Sequence, residues 1–183
     1  MRLDWPLGHL LRRLILLGLL TGLGSCTADN ALRGIVVGVA DGDTITVLDL
    51  AQQQHRIRFA FIDAPEKAQP YGQKAKQALS DLVYRQAVRV ETFEQDRYGR
   101  VVGRIWLGET DVNLRQIEQG LAWHYRAYAK NQPPVDYARY AAAELAARSQ
   151  GIGLWQDKRP VAPWDYRRKK RERSQAQRAL QEE

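Results

Sequence analysis

The tightest constraint on this chain is a cluster of short β-rich runs that begins at residue 34 and precedes any helical pattern. Gly34-Ile35-Val36-Val37-Gly38-Val39 reads as a strand rich in β-branched residues. Asp41-Gly42 then marks a tight turn, and Thr44 to Leu48 alternates polar with apolar residues as a second strand. Strand, Asp-Gly turn and strand predict a hairpin. His55 to Ile62 is a third run, with Ile57, Phe59 and Phe61 on one face and Arg56, Arg58 and Ala60 on the other. Arg58 is therefore expected to point away from the aromatic face.

Between Tyr71 and Tyr84 the period changes. Ala75, Ala78, Leu79, Leu82 and Val83 recur at helical spacing and predict one amphipathic helix. Ala87 to Phe93 and Val101 to Leu107 are two more strands, joined by the polar turn Glu94 to Arg100. A short helix carrying Leu114 and Ile117 ends at Gly120, and a longer Ala-rich helix runs from Val135 to near Gly151. Five strands, interrupted by a helix after the third and followed by helices, match an α+β plan: a five-stranded OB-fold Greek-key barrel with three helices. Such barrels host both binders and enzymes, so the plan alone assigns no chemistry.

The domain is expected over residues 33–157, after an export signal at 1–26 and a linker at 27–32. Residues 158–183 form a Pro-containing linker and a basic charged tail. Of the formal net charge of +7, much sits in the two ends: three Arg against one Asp in residues 1–26, seven basic against four acidic groups in residues 165–183. Bulk charge is thus mild support for an anionic partner, and selectivity must be local to a site. The tail is helix-compatible but has almost no apolar face and is expected to be solvated or disordered until bound; Arg167-Arg168-Lys169-Lys170-Arg171 would add non-specific affinity for polyanions.

Arg2, Arg12 and Arg13 precede an apolar run from Leu14 to Leu23, the pattern of a targeting segment. The run is too short for a bilayer span, which needs about 20 residues. It ends in Leu23-Gly24-Ser25-Cys26, which resembles the lipobox of bacterial lipoproteins and would make Cys26 a lipidated first residue of the mature chain. The competing reading is a plain secretory signal with an incidental Cys. Either way the protein is expected to be exported, secreted or held in the bacterial envelope. Cys26 is the only cysteine, so an intramolecular disulfide is impossible and the domain must stand on its core.

Four separated segments carry the candidate chemistry: Asp41-Gly42-Asp43-Thr44, Arg58 through Glu66, Tyr71-Gly72, and Asp96-Arg97-Tyr98-Gly99-Arg100. Each alone is ordinary: an Asp-Gly hairpin turn, a Pro after a strand, an isolated surface Arg. Their order and their placement at strand ends make the combination informative. With Gly120-Leu121-Ala122, these segments resemble the hallmarks of the staphylococcal (micrococcal) nuclease family over residues 34 to about 156.

The resemblance implies a calcium-dependent endonuclease acting on DNA and RNA and leaving 3′-phosphate and 5′-hydroxyl ends. It implies that Asp43, Asp63 and the main-chain carbonyl of Ala64 ligate Ca²⁺. Ala stands at 64 where the founding member has Thr, a change of little consequence if only the carbonyl coordinates. Glu66 would match the catalytic carboxylate, and Arg58 and Arg100 the two arginines on the scissile phosphate. The loop from Glu66 to Tyr71 is shorter than the founding member's, a difference that bears on substrate preference more than on chemistry.

The residue types agree with those roles. Asp43, Asp63 and a carbonyl are oxygen donors suited to a hard cation, whereas one Cys and scattered His9, His55 and His124 assemble no zinc-type cluster. The Arg fork makes bidentate contacts to phosphate that Lys cannot. Glu66 is either a general base or a group that positions the water. Tyr98 and Tyr128 are candidates for stacking on bases, while Trp123, Tyr125, Tyr137 and Tyr140 read as core or groove-lining. The plainer alternatives are that Asp43 and Asp63 cap turns and that the arginines form surface pairs with Glu66 or Asp96. A monomer is expected. A non-catalytic OB-fold nucleic-acid-binding envelope lipoprotein is the rival function, and a structural envelope role a third.

Overall fold

The computed structural model describes residues 31–181; the export signal, the Leu23–Cys26 segment and most of the 27–32 linker lie outside the described residues. The elements in chain order are β1 (Leu32–Asp41), β2 (Thr44–Asp49), β3 (Gln54–Phe59), β4 (Ile62–Asp63), α1 (Gly72–Val83), β5 (Ala87–Gln95), β6 (Val101–Leu107), β7 (Thr110–Asp111), α2 (Val112–Glu118), β8 (Trp123–His124), α3 (Pro134–Ser149) and α4 (Pro163–Ala179). Single 3-10 turns lie at Arg126–Tyr128 and Gly153–Gln156.

The fold is an α+β five-stranded closed barrel. Its strands run in the order β3-β2-β1-β5-β6, and a parallel pairing of β3 with β6, Arg58 opposite Val102, closes the circle. Every strand of the circle serves two neighbours, and the sharpest bending falls to β1. It bulges, with register shifts after Val36 and after Val39, so that Leu32–Ile35 also pair with β5. Val36, Ile45, Val47, Ile57, Val90 and Ile105 are fully buried from these strands, and Leu79 and Val83 of α1 cap the same core. The buried face of α1, Ala75, Leu79 and Val83, is the one its periodicity predicted.

Two details differ from the sequence reading. The third strand stops at Phe59, because Phe61 takes a left-handed backbone conformation at φ 65°. Alternation fails there, and Phe59, Ala60, Phe61 and Ile62 are all buried. Buried Asn113 stitches that corner: its amide donates to the carbonyls of Ala60 and Gly103, and its oxygen accepts from the Ile105 amide. The second difference is a fourth helix. The expected solvated tail is helical over Pro163–Ala179, with Pro163 at the favoured first position. Its first turn is docked through Trp164, whose ring stacks on Tyr125 at 5.0 Å and meets Trp123 edge-on at 5.6 Å; its later residues are exposed.

Candidate active site

The hairpin turn between β1 and β2 carries Asp43 into the interior. Gly42 leaves no room for a side chain, since a Cβ there would lie 2.6 Å from that of Ala75 and 2.7 Å from that of Ala64. The turn is thus pressed between α1 and the segment after β4. Its Gly42 carbonyl accepts a 2.7 Å bond from the buried Gln116 amide of α2. Opposite, the Asp43 carbonyl accepts the Phe59 amide at 2.8 Å, and Thr44 pairs with Arg58.

Arg58 spans two carboxylates. Its Nη1 lies 2.9 Å from Oδ2 of Asp43 and its Nη2 2.8 Å from Oδ1 of Asp63. Asp63 stands on β4, a two-residue strand paired with β8 through Ile62–His124 and Asp63–Trp123. The Ala64 amide donates to Asp43 Oδ2 at 2.5 Å, tying the two acidic segments together. Glu66 follows on the loop, its amide accepted by Gln69 Oε1 at 3.1 Å. That loop turns tightly into α1: a Cβ on Gly72 would lie 1.9 Å from the Glu66 carbonyl oxygen, so only glycine fits.

One participant is marked by the sequence only as a member of the basic run of the tail. Arg167 of α4 enters the site, with Nη2 2.7 Å from Asp63 Oδ2 and Nη1 2.9 Å from Glu66 Oε1. Its sequence neighbourhood gave little to single it out. Trp164 three residues earlier is the one signal, a lone large ring on the same helical face in a charged stretch.

Burial sets the electrostatics. Asp43 is 5% exposed and Asp63 1%. Burial pushes the Asp43 carboxyl up to about 7; Arg58 opposes the shift, Asp41 and Asp63 add to it, and the Ala64 amide opposes it weakly. A buried carboxylate so raised, beside other acids, gains from a further positive charge, and the donors available are oxygen. The residues therefore fit a hard cation held by Asp43, Asp63 and the Ala64 carbonyl with water completing the shell. Among the described residues no group of three or more His, Cys, Asp or Glu side chains that could hold a metal ion is gathered, so the ligand set would be two carboxylates and a carbonyl. Burial raises the Tyr125 phenol and Asp63 adds to the shift; the ring itself packs against Tyr128 and Trp164.

The remaining expected residues stand apart. Arg100 is bound to Asp96, Nε and Nη2 each 2.7 Å from Oδ2, on the turn before β6. It makes no contact with Glu66. Tyr98 on that turn is 69% exposed, with the Arg97 and Arg100 guanidiniums over its ring. Tyr128 is equally open and lies 4.7 Å from Tyr125. Tyr140 is core: its hydroxyl donates to Asp111, the cap of α2. The structure thus unites Asp43, Arg58, Asp63, Ala64 and Glu66, and holds Arg100 and Tyr98 on the turn before β6 and Tyr128 exposed beside Tyr125.

A small barrel that brings together two buried acids, a half-buried arginine between them and a glutamate suits a hydrolase acting on an anionic ester. Comparison with known proteins agrees. The model of the family described as staphylococcal nuclease homologue matches residues 56–157. An uncharacterized endonuclease of Haemophilus influenzae is 39% identical over 164 residues, 87% of this chain and 88% of that protein. The micrococcal nuclease of Shigella flexneri is 43% identical over 145 residues, covering 74% and 80%. The protein ParB of Escherichia coli is 40% identical over 151 residues, covering 78% and 82%. The chain belongs to the staphylococcal nuclease family, and it is a hydrolytic nuclease.

Proposed function

We propose that the protein is a calcium-dependent endonuclease that hydrolyses DNA and RNA to 3′-phosphate and 5′-hydroxyl ends. The observation that carries this reading is Arg58 joined to both buried aspartates with Glu66 alongside. Asp43, Asp63 and the Ala64 carbonyl would hold the ion. Bound there, Ca²⁺ supplies positive charge against the phosphate and an ordered water.

The side chains do the rest. Arg58 lends its planar fork to a non-bridging phosphate oxygen. Arg100 exchanges Asp96 for a second oxygen when substrate enters. Glu66, half exposed at the mouth, orients the attacking water and takes its proton. The water oxygen bonds to phosphorus, the bond from phosphorus to the 5′ oxygen breaks, and that oxygen takes a proton from solvent water at the open mouth and leaves as the 5′-hydroxyl. Tyr98 and Tyr128 offer exposed rings on which bases of either nucleic acid stack. Retention of both acids, both arginines and Glu66 disfavours the non-catalytic binder.

Turnover measured beside melting temperature tests the assignment. Glu66→Gln, Arg58→Lys and Arg100→Lys should each lower kcat by about 10² to 10³ while remaining folded, the usual loss of one preorganised group. Excess chelator should abolish activity and calcium restore it, with Mg²⁺ a poor substitute because it demands tighter octahedral geometry. Near-normal turnover in folded Glu66→Gln, or full activity in chelator, overturns the reading.

For localisation the proposal is export with a lipid on Cys26, supported by the Leu23-Gly24-Ser25-Cys26 segment. Among the described residues no helix is long and apolar enough to cross a membrane. Cys26→Ser should move the protein from the membrane fraction to the soluble one; unchanged fractionation refutes the anchor.

A further inference from the structure

The cation that Arg167 places in the site is the first of a row. Arg167, Lys170, Arg171, Ser174 and Arg178 fall on one face of α4, at the i, i+3, i+4, i+7, i+11 spacing of a helical stripe, and together line a single groove. Beyond Arg167 these side chains are exposed. The opposite flank is self-neutralised in part: Arg168 pairs with Asp165 at 2.8 Å and reaches Glu172 at 3.9 Å. Among the described residues Lys170, Arg171 and Arg178 have no carboxylate partner. Lys169 and Arg173 on the far face likewise have none; the stripe is set apart by its continuity with Arg167 in the site and by the groove it lines. It starts at Asp63 and Glu66 and runs outward along the helix.

We propose that this stripe is an extended phosphate-backbone subsite of the nuclease, with Arg167 on the phosphate next to the cleaved bond and Lys170, Arg171 and Arg178 on those beyond. The proposal rests on the nuclease reading of the adjoining site and specifies how that site takes a long strand. The eleven steps from Arg167 to Arg178 span about 16 Å at 1.5 Å per residue. That is long enough to follow several successive phosphates of one strand. Docking of the helix by Trp164 on Tyr125 and Trp123 fixes the row against the site and not merely near it. An anionic membrane is the other surface a basic helix could meet. The face opposite the stripe carries Lys169, Glu172 and Arg173, and α4 has no apolar side to bury among lipids beyond its docked first turn. Polynucleotide backbone is the occupant that the charge pattern fits.

The test compares two charge-matched double variants of the full-length protein in a Glu66→Gln background, so that binding is read without cleavage. Arg171→Gln with Arg178→Gln removes two cations from the stripe, and Lys169→Gln with Arg173→Gln removes two from the other flank. Affinity for a single strand of about 16 nucleotides and for a dinucleotide is measured against salt concentration. The stripe variant should lower the salt slope on the long strand by about 1.4 and weaken binding about 25-fold at 0.1 M salt, at ~0.7 per phosphate contact. The flank variant should leave both near the parent, and neither should change dinucleotide binding. Equal losses in the two variants would reduce the effect to net charge and overturn the subsite, as would no loss in either. Vesicles of phosphatidylglycerol and phosphatidylethanolamine provide the remaining arm. A stripe variant that sheds vesicle binding but keeps oligonucleotide affinity assigns the helix to membrane and also overturns the proposal. Errors in the metal or product assignment would leave these binding results unchanged, so the two readings fail separately.

Discussion

If Asp63 holds the proposed cation, Arg167 and that cation compete for the same carboxylate. Asp63 already bonds Arg58 through Oδ1 and Arg167 through Oδ2. A cation arriving there meets a guanidinium that must shift toward Glu66 or toward a phosphate. Arg167→Gln should therefore bind Ca²⁺ more tightly than the parent, by about tenfold, or ~1.4 kcal/mol, while binding long oligonucleotides more weakly. Calorimetric titration of Ca²⁺ without nucleic acid reads the first effect directly. Unchanged or weaker Ca²⁺ affinity would mean that the ion and Arg167 do not compete. At this scale the acids were legible and the third arginine was not. Asp43 and Asp63 sit at the ends of strands whose pattern is visible, so position implies role. Arg167 lies 104 residues from Asp63 amid six other cations of the same tail, and only three-dimensional docking distinguishes it.

At the scale of elements, the five barrel strands followed from β-branched runs and turn residues, because a half-buried surface writes its period into the chain. The two-residue strands β4 and β8 left no such period, yet they hold the site. Their support comes from α3: the His124 amide donates to Glu144 Oε1 at 3.1 Å, and Glu144, 2% exposed, also pairs with Arg126 and Arg148. The His124 ring lies behind Asp63's strand, its Nε2 bonded to Gln132 Oε1 at 2.9 Å and its Nδ1 buried without a partner. Burial lowers its pKa below the ordinary 6.5, with the Gln132 bond and Glu144 opposing. The folded state therefore prefers neutral His124, and its contribution is present above 6.5 and lost as pH falls through the lower folded value. Urea unfolding of the parent and of His124→Gln at several pH values measures this. The parent's stability relative to the variant should decline from pH 7 to 5, by no more than about 1.4 kcal/mol per pH unit for one proton. Parallel curves would show that the histidine titrates alike in both states. Comparing the two proteins is essential, because raised Asp43 acts with the opposite sign between about 3.8 and 7.

For the whole molecule, the barrel and its basic helix are joined by a small hinge of aromatic contacts, and the two can be separated on paper. None of the core residues belongs to α4. What α4 contributes is the Trp164 stack on Tyr125, the edge contact with Trp123, and the Arg167 bonds to Asp63 and Glu66. Aromatic pairs give about 0.5 to 1.5 kcal/mol each beyond area burial, so deleting residues 163–183 should cost about 1 to 3 kcal/mol. A domain of this size loses roughly 2 to 4 °C per kcal/mol, which places the fall in melting temperature at roughly 2 to 12 °C. Ala162, which packs at the base of the helix, and the Gln69 bond to the Val161 carbonyl are kept by cutting there. The shortened protein should unfold in one cooperative step with a urea m value close to the parent's, because m follows the surface exposed and the barrel supplies nearly all of it. Its site would keep Asp43, Asp63 and Glu66 with Arg58 alone between them, so added Ca²⁺ should raise its melting temperature more than the parent's. Loss of cooperative unfolding would show instead that α4 belongs to the folding unit, and an equal response to Ca²⁺ would show that the helix does not screen the acids.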